Sequence, residues 1–110
     1  MTDAISEYER LAQLLTKTED IDSGQMFGKP CLKVRGKAFM AQHKESVIFK
    51  LAGQHHKKAM SIAGAVLWDP SGKGRPMKEW VALPVDSRAQ FAALSKAALA
   101  YVSESAGDAS

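Results

Sequence analysis

Cys31-Leu32-Lys33-Val34-Arg35-Gly36-Lys37-Ala38-Phe39-Met40-Ala41-Gln42-His43-Lys44-Glu45-Ser46-Val47-Ile48-Phe49-Lys50-Leu51 is the stretch that decides the fold. Leu32 and Val34 fall on one face and Lys33 and Arg35 on the other, with Cys31 on the cationic side. Further on, Val47, Phe49 and Leu51 share a face opposite Lys50. Alternation with a period of two is the signature of strands, because successive side chains point to opposite sides. Gly36 and His43-Lys44-Glu45 read as turns. Strands joined by turns this short form an antiparallel meander, with one face buried and the other open to water. Lys33, Arg35 and Lys50 are expected to share that wet face.

Upstream, Gln25 to Phe27 reads as a first strand stopped by Gly28-Lys29-Pro30. Residues 2–17 read as an amphipathic helix: Ile5, Tyr8, Ala12 and Leu15 recur at helical spacing, and Leu11 and Leu14 widen the stripe. Thr2 or Asp3 can cap it, and the acidic segment Glu19 to Gly24 ends it. Downstream, His55 to Ala63 is a short helix candidate and Ala65 to Trp68 a fifth strand. Trp68-Asp69-Pro70-Ser71-Gly72-Lys73-Gly74-Arg75-Pro76-Met77-Lys78-Glu79-Trp80-Val81-Ala82-Leu83 places a cationic, glycine-bearing loop between the two tryptophans of the chain. Lys78 to Leu83 forms a sixth strand ended by Pro84. A last helix starts at Asp86 or Ser87 and runs to about Ser103 on an apolar face of Phe91, Leu94, Ala98, Tyr101 and Val102. The expected fold is α+β: an antiparallel sheet of five to six strands flanked by N-terminal and C-terminal helices on one face. Residues 1–104 make one domain, and 105–110 read as a disordered tail.

With 110 residues the chain is long enough for one compact core. Its single cysteine, Cys31, excludes an internal disulfide and a multi-cysteine metal site. The opening residues carry Asp3, Glu7 and Glu9 and do not read as a secretory leader, and no apolar run reaches the ~20 residues of a membrane helix. A cytoplasmic location without membrane contact is therefore expected. The net charge of +3 conceals an asymmetry, since eleven of the fifteen cations but only Glu45, Asp69 and Glu79 among the acids lie between residues 24 and 85. A basic middle of this kind suits an anionic partner.

Catalysis finds no constellation here. His55 and His56 are adjacent and point apart on a helix, His43 lies in a turn, and no base accompanies Cys31. No enzyme activity, metal or cofactor is expected. The Gly72-Lys73-Gly74-Arg75 loop offers amides and cations to a phosphate, although it lacks the spacing of a Walker loop. Trp68, Trp80, Phe27 and Phe39 are candidate stacking platforms, set against the commoner use of strand aromatics as core.

Several of these segments carry a resemblance. Met26-Phe27-Gly28, the run Cys31 to Phe39, the strand Ser46 to Leu51 and Trp80-Val81-Ala82-Leu83-Pro84 before a long helix resemble the N-terminal domain of TfoX/Sxy proteins. Arg75 to Val81 is similar to the M-x-K-x-W pattern of the related MmcQ/YjbR family. The resemblance spans roughly residues 5–102. It implies the same α+β fold, and it implies regulation or DNA binding, since TfoX/Sxy proteins regulate natural competence and MmcQ/YjbR proteins are commonly labelled DNA-binding. It carries no catalytic residue onto this chain. The expected function is thus nucleic-acid binding or regulation, with Lys33, Arg35, Lys50, Lys73, Arg75 and Lys78 contacting phosphates. The alternative is a protein–protein interaction module without nucleic acid.

Overall fold

The computed structural model describes residues 3–17, 20–70, 74 and 77–108. Helix α1 (Ala4–Leu15) begins where Asp3 accepts a hydrogen bond from the Ser6 amide at 2.8 Å. Such a cap contributes about 1 kcal/mol. Its buried stripe is Ala4, Tyr8 and Leu11, with Ala12 and Leu15 packed beside it. Ile5 and Leu14, expected in the stripe, are both exposed. The core-facing side is rotated towards Ala4, Tyr8 and Leu11.

Strands β1 (Ile21–Met26), β2 (Lys29–Val34), β3 (Lys37–His43) and β4 (Ser46–Lys50) form the meander. After α2 (Gly53–Met60) come β5 (Val66–Trp68) and β6 (Met77–Pro84). A 3-10 segment (Val85–Gln90) then leads into α3 (Phe91–Asp108). The six strands pair antiparallel throughout, in the order β1-β2-β3-β4-β6-β5. The expected α+β architecture is present, with three corrections. The first strand covers Ile21 to Met26, drawing in residues whose Asp, Ser and Gly content reads as a loop; its pairing with β2 overrides that local preference. Phe27 belongs to the following turn. The last helix continues to Asp108, beyond the end expected near Ser103.

All three helices pack on one face. Leu32, Val34, Met40, Val47, Phe49, Leu51, Val81 and Leu83 meet Tyr8, Leu11, Phe91, Leu94, Ala98 and Val102 there. A bulge between Leu32 and Lys33 leaves Phe39 and Met40 consecutively buried on this side. On the same side the Tyr101 hydroxyl donates to Glu79 and ties α3 to β6.

The helix-free face has its own small core. Gly24, Cys31, Ala41, Ile48, Ala82 and Val66 are register partners in one row across all six strands. Over this row lie Trp68 and Trp80, 3% and 5% exposed, with ring centroids 5.6 Å apart. Most of the row is small, which leaves room for an indole between the strands and solvent. The Phe27 ring at the β1–β2 turn also reaches Trp68, at 6.0 Å and edge-on. Four strand steps, about 19 Å in a flat sheet, separate β2 from β5, so the sheet is curled around Trp68.

Ala41→Leu pushes a larger side chain into the space that Trp68 fills, and urea unfolding should register a loss of about 1–3 kcal/mol. Trp80→Ala should cost about 3–5 kcal/mol, as expected for a buried ring.

Candidate functional site

The helix-free face also carries most of the cations that the strands contribute. Lys29 and Lys33 share the side of Cys31 on β2, and Lys50 sits on the same side of β4, directly opposite Trp80. Four residues of strand place Lys29 about 13 Å from Lys33 along β2. The Lys33 stem lies against Gly24, where an added Cβ would come within 3.1 Å of its Cε. All three lysines are half-buried. This suits long chains that cover apolar surface while the ammonium stays in water. Asp22 faces Lys33 across β1–β2, and among the described residues none of the three lysines is in an ion pair.

Of the residues expected at the site, Lys33 and Lys50 are therefore on one face. Arg35 is not: it occupies the β2–β3 turn with φ 51, and its amide bonds the Asp20 carbonyl at 3.0 Å. Its guanidinium lies 3.6 Å from the Asp20 carboxylate, both groups half-exposed. The alternation that placed Arg35 with Lys33 stops at Val34, because a two-residue turn begins there. Lys78 is exposed near the start of β6, and its carbonyl is 2.7 Å from His56 Nε2. Lys73 and Arg75 lie outside the described residues. Lys33, Lys50 and Lys78 all fall towards the end of the sheet from which the 69–76 connection springs. Lys29 was not singled out by alternation because Pro30 and the turn before it mask the start of β2.

At the opposite end, a groove of about 260 Å³ opens between the β3–β4 turn and β5. Ile48 and Ala82 line it together with His43, Lys44, Ser46, Val66, Trp68 and Asp69. The Trp68 indole nitrogen donates to His43 Nδ1 at 3.0 Å. Indole N–H can only donate, so His43 is neutral there and carries its proton on Nε2. Burial, with Lys29 and Lys44 nearby, holds the imidazole below its ordinary value. Asp69 accepts from the Gly74 amide at 2.8 Å, pinning the start of the 69–76 connection. Cys31 lies beneath Trp68's cluster, fully buried, and burial raises its thiol. Of the four candidate stacking rings, Trp68, Trp80 and Phe39 are core, and Phe27 alone is exposed.

Among the described residues no group of His, Cys, Asp and Glu has the arrangement of a metal site, and no helix is long and apolar enough to cross a membrane. Comparison with protein-family models, curated proteins and solved structures returns no match to this chain.

Protonating His43 sets two N–H donors against each other and breaks the tie to Trp68. With the folded value depressed, the unfolded chain takes up the proton first, from about pH 6.5 downward. This contribution to stability is complete above pH 6.5 and is lost as pH falls through the folded value. Urea unfolding at pH 7 and pH 5 should show a larger decline for the wild type than for His43→Gln.

Proposed function

We propose that the protein binds nucleic acid across its helix-free face, with Lys29, Lys33 and Lys50 contacting phosphates and Lys44 and Lys78 extending the track at either end. The observation that carries this reading is the company those lysines keep. They border an aromatic patch sealed by Trp68 and Trp80, with Asp22 the one acid set opposite them in the strand register. Glu79, the acid within β6, turns instead to the helix side. Backbone contacts of this kind supply affinity without reading sequence.

The likeness to TfoX/Sxy and MmcQ/YjbR proteins belongs to the same proposal. Met26-Phe27-Gly28 forms the β1–β2 turn, Gly36-Lys37 the passage into β3, and Trp80 to Pro84 the second half of β6. These positions shape the fold, so the likeness supports kinship of architecture and adds no contact residue. A protein-interaction module remains the second reading, favoured by one observation: β5 ends the sheet with an unpaired edge and with Val66 exposed. A pull-down with and without nuclease separates the two.

In a polarisation titration on DNA and RNA, log affinity should fall steeply with log salt. Each lysine among Lys29, Lys33 and Lys50 replaced by Ala should remove about 0.7–0.9 from the slope. Arg35→Ala, at a turn already paired with Asp20, should change it less. A titration that stays flat down to low salt contradicts the proposal.

A further inference from the structure

The β1–β2 turn holds an apolar ring where water favours a polar group. Phe27 and Gly28 are the central residues of a two-residue hairpin turn, with φ of 54° and 75°. That left-handed geometry suits Asn, Asp or Gly at the first position. At the same position of the next two turns stand Arg35 and Lys44, whose charged ends are at home in solvent. Phe27 is 61% exposed, and its ring contact is the edge-on meeting with Trp68. The phenyl group therefore stands against both the backbone preference of its site and the tendency of apolar surface to be buried.

Its surroundings supply the second observation. The β1–β2 and β3–β4 turns lie at the same end of the sheet, and His43 touches Trp68 from that end at 6.1 Å, as Phe27 does at 6.0 Å. Lys29 follows Phe27 by two residues on the helix-free face. Lys44 begins the neighbouring turn, and both lysines are near enough to His43 to act on its charge. An exposed ring with two cations at the same end of the sheet matches the way single-stranded nucleic acid is held: bases stack on aromatic faces while ammonium groups track the backbone. Bases inside a duplex are already stacked and cannot reach such a ring.

We infer that Phe27 is the stacking platform for one unpaired nucleobase, with Lys29 and Lys44 holding the phosphates beside it. This rests on the nucleic-acid reading above and narrows it to single strands. The His43 Nε2–H remains as a donor near the same end of the groove.

The test compares a labelled oligothymidylate with an abasic sugar–phosphate oligomer of equal length, by fluorescence polarisation at low salt. Phe27→Asn removes the ring while suiting the left-handed position better than Phe, so loss of the turn cannot account for a loss of binding. It should weaken oligothymidylate binding about 5- to 150-fold. Affinity for the abasic oligomer should stay within about twofold. Phe27→Trp should retain the preference for the base-bearing strand. Unchanged binding in Phe27→Asn, or an equal loss for both oligomers, overturns the inference while the salt-dependent reading stands. A wild-type protein that binds neither oligomer overturns both.

Discussion

Trp68 laid over a row of mostly small residues is the constraint on which the rest depends. Helices cover one face of the six-stranded sheet, and the other face carries Gly24, Cys31, Ala41, Ile48 and Ala82 in register. Left to water, that apolar row would be a liability; with the indole over it, Trp68 is 3% exposed and the sheet curls to bring Phe27 against it. The indole's one polar atom must find an acceptor when buried, and His43 Nδ1 supplies it. One side chain thus ties together the curvature of the sheet, the tautomer of a histidine and the position of the exposed Phe27 ring.

The same packing sorts the charges. With the centre of the face sealed by rings, Lys29, Lys33 and Lys50 share that face half-buried, and the Lys33 stem lies against Gly24. Glu79 falls on the other side by strand alternation and accepts there from the Tyr101 hydroxyl. Three cations of the basic middle, Lys29, Lys33 and Lys50, thus share a face with the aromatic centre, while Arg35 stands apart in a turn with Asp20.

The fold was largely legible because Cys31 to Val34 and Val47 to Leu51 alternate cleanly and the turns are short. Illegibility came where pairing or bulging overrules local pattern. Ile21 to Gly24 reads as a loop by composition, yet an edge strand need bury little and takes its order from its neighbour. Phe39 and Met40 are both buried because a bulge breaks the alternation. The site was harder to read. Alternation placed Lys33 and Lys50 correctly but carried Arg35 one residue too far, into a turn. No local pattern could reveal that Phe27 and Trp68, on elements four strand steps apart, would meet, because sheet curvature is a property of the whole fold. Nor could spacing say which aromatics remain exposed, since Phe27 reads as the end of a strand and stands instead in a turn, whereas Trp68, Trp80 and Phe39 lie in strands under cover.

The most direct test is a ¹H–¹⁵N correlation map of the protein titrated with a single-stranded oligonucleotide. The account predicts shifts concentrated at Phe27, Lys29, Lys33, His43, Lys44 and Lys50 and in the Trp68 indole N–H signal, with the outer surfaces of α1 and α3 unmoved. Shifts centred on those helices, or no shifts at low salt, would contradict it.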